Sequence, residues 1–157
     1  MKLKLWQKNI LSMIVIVVAG YILFITAFIL AALVSRVYGM IVSPFAGNAG
    51  GNAYLIHFSW HYVYLIFNLL LAWLVLRSRF NDLVKAAFLT MPLMVVLMEV
   101  GIQFYQQPQP LVLGIGAVII GVILFYLYKK KLPWMYYFST VYVTVMALIV
   151  LLSGMEI

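Results

Sequence analysis

Five long apolar runs constrain the fold of this chain more than any other feature. A helix needs roughly 20 apolar residues to cross a hydrocarbon layer about 30 Å thick, and the runs are close to or above that length. They are continuous and show no period-two alternation, so helices are indicated rather than the strands of a membrane barrel. The sequence predicts an all-α, polytopic transmembrane bundle with helices at about 10–35, 53–76, 83–105, 111–128 and 134–153.

The composition argues against an ordinary soluble domain. Of the 157 residues, 68% are hydrophobic and 8% are charged, whereas about 25% charged residues are usual in soluble proteins. Cysteine is absent, which excludes disulfides and thiolate metal sites. The first apolar run exceeds the roughly 7–15 residues of a signal-peptide core, so we interpret it as a retained helix. A single transmembrane domain covering 1–157 is therefore predicted.

The basic residues predict the orientation of the bundle. With five helices, nine of the ten Lys and Arg residues fall on one side, in the N-terminal segment and in or beside the second and fourth connections. Such segments stay in the cytoplasm, so the N-terminus is predicted inside and the C-terminus outside the cytoplasmic membrane. Arg36 is left at the outer end of the first helix. Contact with anionic headgroups also accounts for the net charge of +7, and no nucleic-acid partner is expected.

The second helix carries a polar stripe within its apolar sequence. His57, His61, Tyr64 and Asn68 follow one another at positions i, i+4, i+7 and i+11, a spacing that places them on one helix face. Polar side chains are costly when they face lipid. The stripe is therefore predicted to face the interior of the bundle.

The third helix carries the only acid predicted within a span, Glu99, followed one turn later by Gln103. An ionisable residue inside a membrane indicates a functional site by default. Glu99 lies at the same predicted depth as His57 and His61, so we expect these histidines to face it, with Arg36 as a second candidate partner. Three interpretations stay open for this cluster, namely a contact that only locks the helices together, a ligand pocket, and a catalytic or metal site.

A zinc site is one specific form of the last interpretation. His57 and His61 lie four residues apart and, with the carboxylate of Glu99, would make an acceptable three-ligand set. However, the glutamate that directly follows the first histidine in the common metalloprotease helix is absent. The sequence therefore predicts no metal, no other cofactor and no catalytic residue.

Two glycine-containing segments predict opposite structures. The segment VYGMIVSPFAGNAGGN at 37–52 is predicted to be the external loop between the first two helices, and its SPFAGNAGG portion at 43–51 is predicted to be irregular. In the fourth helix, Gly114, Ala117 and Gly121 place small residues at spacings of three and four, which suits close packing against another helix.

Several short motifs follow one another along the chain, namely an SPF loop after the first helix, a second helix that ends in basic residues, the segment EVGIQF, and GIGAVIIG followed by KKK. Together they resemble the VanZ-like family, small bacterial membrane proteins associated with glycopeptide-antibiotic resistance. The resemblance covers roughly 40–131 and matches a family Glu, Gln and aromatic residue to Glu99, Gln103 and Phe104. The Glu-to-Gln gap is one residue longer here, and QQPQP replaces an expected aspartate. The resemblance implies a role in envelope or antibiotic-resistance physiology.

Three functional classes fit these observations. An intramembrane enzyme would use Glu99 with His57 or His61 as acid and base, and a small oligomeric transporter would use the same residues in a pore. The sequence favours the third class, a non-enzymatic accessory or binding subunit with a polar site in the outer leaflet. Its expected partners are the lipid bilayer and either a larger membrane complex or further copies of the chain.

Overall fold

The computed structural model describes residues 4–46, 53–104 and 106–152, with side chains at 4–42, 60–104 and 106–150. All regular structure in these segments is α-helical, as the sequence predicted. The helices are α1 (Leu5–Ala46), α2 (Ala53–Arg77), α3 (Asp82–Gln103), α4 (Gln109–Lys129) and α5 (Trp134–Leu152).

Four helices contain segments that are long and apolar enough to cross a membrane, as expected for a multi-pass membrane protein. These segments are Leu5–Val42, Trp60–Arg77, Asp82–Gln103 and Gln109–Lys129. The described apolar part of α5, Trp134–Val150, is slightly shorter. Five membrane-crossing helices therefore fit the structure.

Helix α1 is where the predicted boundaries are wrong. The predicted helix 10–35 begins at Leu5 and continues through Arg36 to Ala46. The first ten residues of the predicted external loop 37–52 are therefore helical, including the first four of the portion predicted to be irregular, whereas 47–52 lie outside the described residues. The continuation is reasonable because the exposed Arg36 side chain does not interrupt a helix, and apolar Val37, Met40 and Ile41 follow it. At 1.5 Å per residue α1 is about 63 Å long, roughly twice the thickness of the hydrocarbon layer.

Helix α3 lies at the centre of the bundle and contacts all four other helices. Its residues from Thr90 to Val95 are buried without interruption, so this part of the helix is covered on every side. Toward the basic end of the bundle, α3 packs in an apolar cluster with α1, α4 and α5. Further along, it packs with α1 and α2 around Ala27, Tyr64, Met91 and Val95. The second cluster fixes the three helices that hold the candidate site.

The small residues of α4 do not mediate close helix packing, so that prediction is wrong. A Cβ atom added to Gly114 or Gly121 would meet no atom of a neighbouring helix within 4 Å. Ala117 and Gly121 instead line an apolar cleft of about 500 Å³ between α3, α4 and α5. Small residues allow helices to approach, but close contact also needs a complementary surface on the partner, and α4 makes its buried contact near its basic end, at Leu127.

Candidate functional site

Glu99 and His61 meet between α3 and α2. The Nδ1 atom of His61 lies 3.0 Å from Oε1 of Glu99, and only 7% of Glu99 is exposed. The predicted contact between the polar stripes of these helices is thus present for His61. The side chain of His57 lies outside the described residues, so its expected contact with Glu99 stays a prediction.

The two residues meet because they lie at the same height in antiparallel helices. His61 precedes the end of α2 at Arg77 by about 24 Å of helix, and Glu99 follows the start of α3 at Asp82 by about 26 Å. The connection between α2 and α3 is short, so the end of α2 at Arg77 and the start of α3 at Asp82 lie close together. Sequence spacing and connection length therefore determine this pair.

The hydrogen bonding of Glu99 is incomplete. A proton on Nδ1 of His61 can be donated to Oε1, whether the imidazole is neutral or charged. The other carboxyl oxygen, Oε2, is buried and makes no hydrogen bond to the described part of the chain. A buried polar atom without a partner is costly, and the cost is larger for a charged group. Within the described residues, the pair thus leaves one buried oxygen of Glu99 without a hydrogen bond.

A cleft of about 150 Å³ lies beside this pair, between α1, α2 and α3. We call it the α1–α3 cleft. Its lining is mainly aromatic, aliphatic and thioether side chains, with His61 and Glu99 as its ionisable groups. The lining residues are Phe24, Ala27, Phe28, Ala31, Trp60, His61, Tyr64, Met94, Val95, Met98, Glu99 and Ile102.

Aromatic rings are packed against each other on two sides of the cleft. The rings of Trp60 and His61 lie 3.8 Å apart with a tilt of 34°, so the indole covers the imidazole. On α1, Phe24 and Phe28 meet edge to face with ring centres 4.8 Å apart. These contacts limit the conformations of the aromatic rings that line the cleft with Glu99.

Tyr64 belongs to the predicted stripe and is buried. Its hydroxyl group donates a hydrogen bond of 2.7 Å to the backbone carbonyl of Ala27, which links α2 to α1. Its ring lines the α1–α3 cleft. Tyr64 thus supplies an apolar wall, while its polar atom stabilises helix packing.

Asn68 also faces inward, and only 2% of it is exposed. It lies about 10 Å along α2 from His61, too far to join the Glu99 pair. Neither polar atom of its amide makes a well-formed hydrogen bond within the described segments, although the Tyr64 side chain one turn away is close enough to interact with it. The structure therefore places Asn68 in the stripe but outside the site.

Replacing Asn68 with leucine is expected to stabilise the bundle. The substitution removes an amide whose burial without partners costs about 1–3 kcal/mol, and leucine has a similar size. The free energy of unfolding, measured by denaturant titration in detergent micelles, should rise. A decrease of more than about 1 kcal/mol would mean that the amide has a bonding partner in the folded protein.

Two predicted site residues lie away from the pair. Gln103 shares a helix face with Glu99 but is the exposed last residue of α3. Arg36 is exposed on α1, and its guanidinium makes no ion pair with the side chains that the structure describes. Both lie toward the C-terminal ends of their helices, where their side chains are exposed.

Sequence reasoning missed the aromatic walls of the cleft. Trp60 precedes His61 directly, and Phe24 and Phe28 alternate on α1 with the small residues Ala27 and Ala31. An alternation of small and aromatic residues on one helix face is the signal that could have indicated a cleft. We interpreted these residues only as apolar parts of the membrane spans.

The described residues contain no group of three or more His, Asp or Glu side chains placed to hold a metal ion. The zinc set considered from the sequence includes His57, whose side chain is not among them. That set is therefore not tested by this geometry.

Comparison with family models, curated proteins and solved structures gives no match to this chain. The resemblance to the VanZ-like family stays a prediction from the sequence. Functional inference therefore depends on the chemistry of the α1–α3 cleft.

Proposed function

We propose that the chain is a non-enzymatic binding subunit of the cytoplasmic membrane, which holds a polar group of a ligand or membrane partner in the α1–α3 cleft. The observation that carries this proposal is the buried Oε2 atom of Glu99 beside the cleft, which has no hydrogen-bond partner among the described residues. A group that reaches this oxygen would remove the penalty of an unsatisfied buried acceptor.

The composition of the cleft supports binding. Ligand pockets are typically lined by apolar and aromatic side chains, with a few polar groups that fix orientation. The α1–α3 cleft has this composition, with Glu99 and His61 among its few polar groups. A contact needed only for helix packing would gain nothing from an ionisable pair that leaves one oxygen unsatisfied.

The orientation with the N-terminus inside belongs to the same proposal. It puts His61 and Glu99 in the outer leaflet, a few turns from the external surface, and leaves the basic connections in the cytoplasm. The VanZ-like resemblance adds the expectation that the bound molecule belongs to the cell envelope.

Topology reporters test this orientation. Fusions after Asn48, Asn81, Gln107, Lys131 and Ile157 are expected to report outside, inside, outside, inside and outside, in that order. The physical reason is the retention of Lys and Arg in the cytoplasm. A cytoplasmic reporter at Ile157 would contradict the five-helix orientation.

The binding function is tested by purifying the full chain from its native membrane in mild detergent. Mass spectrometry then identifies bound protein, lipid and small molecules for the natural chain, Glu99→Gln and Thr140→Val. Thr140 is a matched control because it is a buried polar residue on α5, away from the cleft, whose hydroxyl bonds within its own helix.

We expect one bound component to be retained by the natural chain and by Thr140→Val but lost from Glu99→Gln. The melting temperature of each preparation identifies any variant that has lost its fold. The same bound components in all three folded preparations would contradict the proposal.

A further inference from the structure

We infer that the group held beside Glu99 is an organic ammonium, such as a trimethylammonium group. This inference depends on the proposed binding function of the α1–α3 cleft. It follows from three properties of the cleft, namely its aromatic walls, its carboxylate and its size.

The walls suit a cation with an apolar surface. Four aromatic side chains, Phe24, Phe28, Trp60 and Tyr64, line the cleft from two helices. The face of an aromatic ring attracts a cation, tryptophan most strongly, and such cages are the usual way in which proteins recognise quaternary ammonium groups. The methyl groups of an alkylated ammonium would also contact the apolar lining.

The carboxylate supplies the opposite charge. Glu99 is bonded through Oε1 to His61 and has Oε2 without a partner in the described residues. Asp82 begins α3 at the other end of that helix and accepts a hydrogen bond from Tyr136 instead. The negative charge of the cleft therefore comes from Glu99.

The remaining lining explains why a metal ion or a neutral polar ligand fits less well. Metal ions such as Ca²⁺ or Mg²⁺ need about six oxygen ligands, whereas this lining contains one carboxylate among mostly apolar side chains. A neutral polar ligand would need hydrogen-bond partners for each of its own polar atoms. A trimethylammonium group has no such requirement.

The size and flexibility of the cleft agree with this ligand class. Its volume of about 150 Å³ equals about five water molecules in the liquid, close to the size of a nitrogen with its four carbon substituents. Oε2 is covered in the free protein, so the ligand must displace a neighbouring side chain to approach it. Met94 and Met98 line the cleft, and their unbranched side chains adapt easily.

The test compares a cation with its uncharged isostere. The full chain in dodecyl maltoside is titrated with choline and with 3,3-dimethylbutan-1-ol, in which carbon replaces the ammonium nitrogen. Binding is measured from the rise in melting temperature. We expect choline to bind at least about tenfold more tightly than the alcohol, because both fit the cleft but only choline is charged.

Two tryptophans on α2 provide matched variants. Trp60→Leu removes an aromatic wall and is expected to weaken choline binding about tenfold. Trp73→Leu removes an exposed tryptophan that packs against Arg77, and it should bind choline normally. Glu99→Gln, where it folds, should abolish the preference for choline over the alcohol.

The source of the ammonium is distinguished in nanodiscs. Melting temperatures are compared in phosphatidylglycerol alone, in phosphatidylglycerol with phosphatidylcholine, and in phosphatidylglycerol with free choline. A rise in melting temperature that requires Trp60 supports the inference. If phosphatidylcholine causes the rise, the source is a lipid headgroup, and if free choline causes it, the source is a soluble cation.

Equal affinity for choline and the alcohol, or unchanged choline binding by Trp60→Leu, would overturn the inference. If the component lost from Glu99→Gln in the purification experiment carries no ammonium group, the binding function stands and the ligand class is wrong. If Glu99→Gln loses no component at all, the binding function itself fails.

Discussion

Replacing His61 with leucine is expected to lower the free energy of unfolding by about 3–5 kcal/mol. The substitution leaves the carboxylate of Glu99 buried without its hydrogen-bond partner, and an unpaired buried charge costs about that much. The Glu99→Leu/His61→Leu double variant should recover most of the loss, because both members of the pair are then apolar. Unfolding in mixed micelles of dodecyl sulfate and dodecyl maltoside measures His61→Leu, Glu99→Leu and the double variant against the natural chain.

The coupling energy shows whether the contact between His61 and Glu99 stabilises the bundle. An energetically coupled pair gives a double-mutant coupling of about 0.5–3 kcal/mol, whereas independent residues give a value near zero. Thr140→Val combined with His61→Leu serves as a control, since Thr140 lies on α5 and should be additive with His61. Additivity between His61 and Glu99 would mean that the 3.0 Å contact contributes nothing to the stability of the bundle.

Replacing Gly20 with alanine is expected to destabilise the bundle by about 1–3 kcal/mol, the usual effect of an extra carbon in a packed core. Gly20 lies where α1 meets α3 and α5. An added Cβ would lie 2.9 Å from Cε1 of Tyr142 and 3.2 Å from Oγ1 of Thr90. The ring of Tyr142 must move, which disturbs its long hydrogen bond to the carbonyl of Val17. Thermal unfolding of the purified variant in detergent measures the effect.

Gly39 is the matched control because it lies on the same helix, and a Cβ there meets no atom within 4 Å. Gly39→Ala should leave stability unchanged or raise it by up to about 1 kcal/mol, since alanine favours helix. Equal effects of the two substitutions would contradict the packing described here for α1.

Much of the fold could be predicted from the sequence, because the length of an apolar run identifies a membrane span. Helices α2 to α5 begin and end within two residues of the predicted bounds. The His61–Glu99 contact could be predicted for a related reason. A short connection between two straight helices fixes which residues share a height, and the cost of polar groups in lipid fixes which face turns inward.

The wrong predictions share one cause. The pattern of residues along a single helix carries no information about tertiary contacts. Arg36 was interpreted as the end of a helix, although an exposed charge is compatible with helical continuation. Gln103 shares the face of Glu99 but extends past the neighbours that could bury it. Gly114 and Gly121 suit close packing, yet the opposing surface does not approach them. In each case the deciding information is what lies across from the residue.

The aromatic walls of the cleft illustrate the same limit. Phe24 and Phe28 occur in a segment that is almost entirely apolar, and Trp60 lies beside the polar stripe of the second helix without belonging to it. Composition alone therefore does not distinguish these three residues from residues that face lipid. Only the packing of α1 against α2 and α3 brings them to the side of Glu99. The inference that the ligand carries an organic ammonium group therefore depends on the structure and not on a sequence motif.

The contact between His61 and Glu99 in a lipid bilayer is the central claim, and solid-state NMR can measure it directly. The chain contains two histidines, and its glutamates are Glu99 and Glu156, so ¹⁵N-histidine and ¹³C-glutamate labels give few signals. Rotational-echo double resonance should show strong dephasing between an imidazole nitrogen and a side-chain carboxyl carbon, consistent with the 3.0 Å distance from Nδ1 to Oε1. The dephasing should persist in His57→Gln and fall strongly in His61→Gln. No dephasing in the natural chain, or dephasing that is lost in His57→Gln but unchanged in His61→Gln, would contradict the contact between His61 and Glu99.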